Sequence, residues 1–256
     1  GFHAMADNKE TVGRTFTVVI VLCLVCSIIV AGSAVLLKPR QQANAAEAKQ
    51  VNILATAGID SKGAEISELF EQRVKTWGYN LDTNELIAYD ALTQLDAAIA
   101  DSAMFAMSKT GKEAGVRDLH AVVPVFEVLT ENGVTDSYVL DLRGAGLWGM
   151  MYAFLAIEPN GETIRGIYFY EHSETPGLGG EIQNPRWTAR FDGLTAVTDS
   201  GDVAVTVKKG AEAEGEVDAL SGATITSNGV NKTLKFWLSE EAYGGFLAQL
   251  RKGGAN

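Results

Sequence analysis

Six consecutive residues near the C-terminus, Ser221, Gly222, Ala223, Thr224, Ile225 and Thr226, put three hydroxyls on a stretch of small side chains. Gly222 and Ala223 let the backbone approach a bulky ligand closely, and the hydroxyls of Ser221, Thr224 and Thr226 can donate to phosphate oxygens. After Ser227-Asn228-Gly229, the apolar Val230, Leu234, Trp237 and Leu238 recur at helical spacing. Thr226 or Ser227 is therefore expected at a helix cap, where unpaired N–H groups and the helix dipole favour a phosphate. By local chemistry alone the same string also reads as an ordinary cap with no ligand.

Two further segments carry residue types suited to a site. Arg143-Gly144-Ala145-Gly146-Leu147-Trp148-Gly149 matches the dinucleotide pattern G-x-G-x-x-G. That pattern needs a helix after the glycines, whereas Met150 to Ile157 reads as a strand, so a nicotinamide site is rejected. A tight glycine connection displaying Leu147, Trp148 and Gly149 can instead offer flat apolar surface to an aromatic ligand, or be a simple turn with a core tryptophan. The second segment is Glu171-His172-Ser173-Glu174-Thr175-Pro176-Gly177-Leu178-Gly179-Gly180. Its proline and glycines predict a rigid loop with exposed amides. One histidine beside two carboxylates makes a poor metal site, and no metal is assigned.

The string Ser221 to Thr226, with Asp218 eight residues before Thr226, and the string His172 to Gly179 together resemble the FMN-binding subunits of sodium-translocating NADH:quinone oxidoreductases. The nearer resemblance is to the C subunits of those complexes, and the alternative is the G subunits of the related Rnf complexes. The resemblance spans nearly the whole chain. It implies FMN bound covalently through a phosphoester to Thr226, which relays single electrons between redox centres of a multi-subunit membrane complex. The loop Leu147, Trp148, Gly149 and the loop Glu174, Thr175, Gly177, Leu178, Gly179 would line the cofactor. Glu174 and Thr175 would bond flavin or ribityl groups, and Leu178 would pack on the ring. It further implies a separate Mg²⁺-dependent flavin transferase that uses FAD as donor, with Asp218 serving its recognition. The chain alone would not complete a reaction, since NADH oxidation and quinone reduction belong to partner subunits. A membrane-tethered FMN-binding or sensory module without redox partners is the reading of a different class.

The elements that must position these residues begin with Thr15 to Leu37, an uncharged stretch of 23 residues bounded by Arg14 and by Lys38-Pro39-Arg40. At about 1.5 Å per residue it crosses a hydrocarbon core of roughly 30 Å. It is longer than a signal-peptide core and closed by basic residues, so an uncleaved membrane anchor is preferred. The flanking charges do not fix its orientation. The resemblance implies a bacterial inner membrane, a cytoplasmic N-terminus and a periplasmic C-terminal domain. Gly1 to Ala4 ahead of Met5 read as a cloning remnant. Both cysteines, Cys23 and Cys26, lie within the apolar stretch, where they read as small hydrophobes, with a site shared with a neighbouring subunit as the alternative.

The expected organisation is a tail over 1–14, a transmembrane helix over 15–37, a membrane-proximal linker or helix over 38–62, and an FMN-binding domain over 63–256. With 46% hydrophobic and 21% charged residues the composition is globular. A net charge of −11 without a basic cluster argues against nucleic-acid binding. An amphipathic helix is expected over 64–77 and a weaker one over 92–106. Strands are expected over 122–129, 137–142, 150–157 and 163–170, with turns at Asn132-Gly133 and Asn160-Gly161 joining antiparallel hairpins. Further strands are expected over 188–197 and 203–207, then a long helical region from about Ser227. The fold class is therefore α+β, a mixed or antiparallel sheet with flanking helices after one N-terminal transmembrane helix.

Overall fold

A computed structural model describes residues 12–253. The remnant reading of Gly1 to Ala4 falls outside them. The chain divides into two compact units, one up to Glu47 and one from Ala48 onward. The first consists of most of α1, a helix over Val12–Thr56 that contains one segment long and apolar enough to cross a membrane. The apolar side chains of that segment, from Phe16 to Leu37, are exposed. Such a surface is stable against lipid or other helices and costly against water. Cys23 and Cys26 are free thiols on it.

The second unit takes in the last residues of α1 and then α2 (Ile66–Arg73), β1 (Val74–Asn80), β2 (Glu85–Tyr89), α3 (Leu92–Asp101), β3 (Met104–Phe105), α4 (Lys109–Glu113), β4 (Leu119–His120) and β5 (Val122–Leu129). It continues through β6 (Thr135–Ala145), β7 (Met150–Ile157), β8 (Ile164–Glu171), α5 (Pro185–Thr188), β9 (Thr206–Lys208), β10 (Glu216–Asp218), α6 (Thr224–Trp237) and α7 (Gly244–Arg251). Six strands form one antiparallel sheet in the order β2-β1-β5-β6-β7-β8. Alternation along the central strands supplies both faces. Val125, Leu140 and Leu155 point into the larger core with Leu234, Trp237 and Phe246 of α6 and α7. Phe126, Val139 and Phe154 point into a second core with Ile53, Leu54, Phe70 and Leu95. This is the α+β arrangement expected, with helices on both faces of the sheet.

Both Asn-Gly turns close hairpins. Gly133 and Gly161 adopt φ of 77° and 72°, which glycine reaches without steric cost. Elsewhere the boundaries move. The helix expected over 64–77 stops at Arg73, because Val74 to Asn80 alternates on a pleat and pairs with β5 and β2. The helix expected over 92–106 stops at Asp101, and Met104 and Phe105 pair with His120 and Leu119. The strand expected over 188–197 is absent. Asn184 accepts the amide of Arg186 and Pro185 follows, which starts α5 and a 3-10 turn over Ala189–Phe191. Trp187 and Phe191, four residues apart, are thereby both buried and meet edge to face at 5.2 Å. From 203–207 only Thr206 and Val207 enter a strand, pairing in parallel with β10.

One ionisable group on β6 destabilises the fold at neutral pH. Asp141 accepts the hydroxyl of Tyr170 at 3.0 Å. Burial pushes its carboxyl up to about 6, against the pull of Lys49, the Tyr170 bond and Arg143. A folded pKa above the unfolded value means that the native state holds the extra proton, so stability falls as pH rises from about 4 to about 6 and is level above that. Asp141→Asn is accordingly expected to raise stability at pH 8 by about 1–2 kcal/mol, a fraction of the full shift at ~1.4 kcal/mol per unit. The gain should vanish near pH 4. Urea titrations at the two pH values measure it, and an equal effect at both would exclude this origin.

Candidate functional site

β6 and β7 are joined by Gly146 to Gly149, a turn closed by the Gly146 amide donating to the Gly149 carbonyl at 2.7 Å. The turn carries Leu147 and Trp148 out of the core, at 48% and 68% exposure. Strand β7 follows the glycines, at the place where a dinucleotide fold has a helix. Gly146 is needed for close approach, since a Cβ there would lie 2.5 Å from Glu174 Oε1.

After β8 the chain enters the second loop. The Glu174 amide donates to His172 Nδ1 at 3.0 Å, which accounts for the histidine. Thr175-Pro176-Gly177-Leu178 then turns back, with the Leu178 and Gly180 amides donating to the Thr175 carbonyl at 3.1 and 2.9 Å. Proline followed by Gly177 at φ 75° is the pattern a type II turn requires. Leu178 is left 46% exposed, close enough to Gly222 that a Cβ there would sit 3.2 Å from its Cδ2.

The third segment starts the helix earlier than expected. Ala223 is the N-cap and Thr224 the first helical residue, so Thr226 occupies the third position of the first turn. Ser227 is not a cap either: its hydroxyl accepts the Leu220 amide at 3.0 Å. The amides of Thr224, Ile225 and Thr226 precede the first intrahelical bond, from Ser227 to Ala223. They are the unpaired donors of the helix start. Thr224 and Ser221 are exposed, as is Ile225 at 58%. α6 is held against β6 by Trp237 Nε1, which donates to the Arg143 carbonyl at 2.7 Å, and by Gly229, where any Cβ would collide with the Ala145 carbonyl.

These three segments converge on Thr226, which is 1% exposed. Its hydroxyl donates to Glu174 Oε2. Glu174 Oε1 accepts the Trp148 amide at 2.9 Å. Gly179 lies directly over the pair, and a Cβ there would be 2.5 Å from Thr226 Oγ1 and 2.8 Å from Glu174 Oε2. Burial alone would raise the Glu174 carboxyl. The bonds from Thr226, Trp148 and Leu147 more than offset it and hold the group below the usual glutamate value. Gly179→Val should therefore force the two loops apart and cost about 2–4 kcal/mol, as overpacking with loss of a buried bond. A thermal melt at wild-type temperature would contradict that.

Asp218 stands outside this cluster. Its carboxylate accepts the Gly210 amide at 2.8 Å and its carbonyl accepts Trp187 Nε1 at 2.9 Å. The direct bond between Glu174 and Thr226, 52 residues apart, was not foreseeable from either string. Neither was Ile225, whose exposure depends on where the helix begins.

A family model described as FMN-binding domain matches residues 146–239, which include the Trp148, Glu174 and Thr226 segments. The C subunit of the Na(+)-translocating NADH-quinone reductase of Pasteurella multocida is 43% identical over 98% of this chain and 99% of its own length. That of Yersinia pestis is 41% identical over 96% of each. Among solved structures, NqrC of Shewanella oneidensis superposes with a TM-score of 0.73 at 31% identity, covering 82% of this chain and all of that one. The corresponding C subunit from Parabacteroides distasonis gives 0.62 at 27% identity, over 84% of this chain and 96% of that one. With likeness of this degree over nearly the full length of both chains, this protein belongs to the family of Na(+)-translocating NADH-quinone reductase C subunits.

Proposed function

We propose that this chain is an electron-transfer subunit of a sodium-translocating NADH:quinone oxidoreductase, with FMN joined through its phosphate to Thr226 Oγ. The observation that carries the reading is the setting of that hydroxyl. It sits in the first turn of a 14-residue helix among unpaired amides, beneath a rim of exposed Leu147, Trp148, Leu178 and Ile225. Such a helix start favours a phosphate, and exposed apolar side chains of this size beside it suit a flat aromatic ring system. Bound FMN supplies one-electron chemistry. The residues of this chain hold it in place. Thr226 provides the link, Ser221, Gly222, Ala223 and Thr224 leave space and donors for the phosphate, and Glu174, Thr175, Gly177 and Gly179 form the opposite wall. Gly149 keeps the Trp148 turn tight against Ser173.

A covalent link prevents loss of the cofactor and removes the recurring entropy cost of binding it. α1 anchors the domain in the bacterial inner membrane, with the N-terminus cytoplasmic and the domain in the periplasm beside other subunits of the complex. A Mg²⁺-dependent flavin transferase with FAD as donor installs the group, and Asp218 belongs to the surface that it recognises. The Leu147, Trp148, Leu178 and Ile225 rim is where electrons pass to and from partner centres. The test is the mass of the intact chain made with the transferase. An increment of one FMN is expected, confined after proteolysis to the peptide containing Thr226; an unmodified Thr226 peptide would end this reading.

A further inference from the structure

The hydroxyl of Thr226 and the carboxylate of Glu174 form a nucleophile–acceptor pair inside the chain that is to be modified. An alcohol is a weak nucleophile at neutral pH and needs a base at the attacking oxygen. Glu174 is 4% exposed, and its second oxygen is fixed by the Trp148 amide at 2.9 Å, so its free lone pairs are directed at Thr226. Lys112 and Arg117 line the groove beside the Gly146 to Gly149 turn. The first turn of α6 and the Gly146 to Gly149 turn have no ionisable side chain, and on its own loop only Glu171 and His172 lie near.

We infer that Glu174 is the proton acceptor for esterification of Thr226, so that this chain brings its own general base to a reaction in which a transferase supplies the flavin donor. The inference rests on the reading that Thr226 carries the flavin phosphate. In the step, Thr226 Oγ attacks the phosphorus of the FMN half of FAD. The Oγ–P bond forms, the pyrophosphate P–O bond breaks, and AMP leaves with that bond's electron pair. The hydroxyl proton passes to Glu174, and nothing is oxidised or reduced. A carboxylate receiving a substrate hydroxyl proton is also how protein kinases handle phosphoryl transfer to an alcohol. Glu174 is ionised through the neutral range, held there by its hydrogen bonds, and so is able to accept.

Gly179, which ends the exposed Thr175–Leu178 turn, packs over Thr226. Attack therefore takes place with that turn lifted, while the Trp148 amide keeps Glu174 in position. Once Oγ is esterified it has no proton to donate. The Thr226–Glu174 bond is then lost, and a phosphate anion faces the carboxylate, so the turn does not close again as it does in the unmodified chain.

The full-length chain in detergent, mixed with purified transferase, Mg²⁺ and FAD, gives the rate at which one FMN mass is gained. Glu174→Gln keeps the size and the acceptor for the Trp148 amide but turns a donor NH2 toward Thr226 Oγ in place of the base, and should slow that gain by about 10²–10³-fold, the range typical of general-base catalysis. Glu174→Asp should fall between the two. The wild-type rate should decline on acidification through a carboxylate, and this decline should be missing in Glu174→Gln. Circular dichroism and tryptophan emission check that the variant is folded; if it is not, the shifted acid limb of Glu174→Asp decides. A wild-type rate for Glu174→Gln, or an acid limb identical in all three proteins, overturns the inference. If the wild-type chain itself gains no flavin at Thr226, the underlying reading fails, and that outcome is visible before any variant is compared.

Discussion

Thr226→Ala is expected to yield a chain without bound flavin, and a complex assembled with it should reduce quinone from NADH only at background. The argument is local. Of the three hydroxyls in the string, those of Ser221 and Thr224 belong to exposed residues, whereas Thr226 alone is bonded to a buried carboxylate within the first turn of α6. Moving the link to Thr224 would place the phosphate outside the wall formed by Glu174 and Gly179. The substitution also has a structural cost. It removes a hydrogen bond to a charged group and leaves Glu174 Oε2 without that donor, together about 1.5–3 kcal/mol. A wild-type chain produced without the transferase separates the two effects, because it retains the hydroxyl and the fold but lacks the cofactor. It should match Thr226→Ala in turnover while melting higher. Denaturing-gel fluorescence and NADH-driven quinone reduction are the measurements. Flavin retained by Thr226→Ala, or turnover at the wild-type level, would disprove the attachment and the essential relay respectively. The second outcome would favour a tethered flavin module without redox partners.

The largest loss of stability should come from Trp237→Ala. Trp237 is 3% exposed at the last position of α6. Its ring packs on Phe236 and Tyr243 at 5.3 and 5.6 Å, and its Nε1 donates to the Arg143 carbonyl at 2.7 Å. Truncation leaves a large cavity and an orphaned carbonyl, about 3–5 kcal/mol for a buried aromatic. For a domain of this size that is roughly 10 °C in melting temperature. The consequence reaches the site, because this tryptophan fixes α6 to the end of β6, and β6 leads into the Trp148 turn. Flavin incorporation should therefore slow along with the fall in stability. Phe in place of Trp keeps much of the volume and loses the hydrogen bond, so it should cost clearly less. Thermal melts of the three proteins check the order, and equal melting of Trp237→Ala and wild type would mean that α6 is held by other contacts.

Much of the site was legible as separate strings. Thr226 on an apolar helix, the Thr175-Pro176-Gly177 turn and the Trp148 glycine connection follow from local rules of turn chemistry and periodicity, which depend on neighbours a few residues away. Local rules erred where a distant partner outweighed them. Val74 to Trp77 continues the helical period of α2, yet all seven residues of β1 pair with β5 and five of them, Thr76 to Asn80, also with β2. The segment from Thr188 has strand-like residues, but Asn184 and Pro185 start a helix that buries Trp187 and Phe191 together.

What the amino-acid sequence by itself determined is the class of molecule: an apolar helix long enough for a membrane, an α+β domain with two Asn-Gly hairpins, and three segments with the chemistry of a phosphate and an aromatic ligand. Each rests on short-range physics, on hydrophobic period, turn geometry or the donors of a helix start. The tertiary structure alone decided which hydroxyl meets which carboxylate. Glu174 and Thr226 are brought together because β6, β7 and β8 are adjacent in one sheet and α6 crosses its end, close enough that Gly229 and Gly179 tolerate no side chain. Contacts between residues 52 apart depend on that packing. The same packing removes Asp218 from the cluster, although it is only eight residues from Thr226 in the chain.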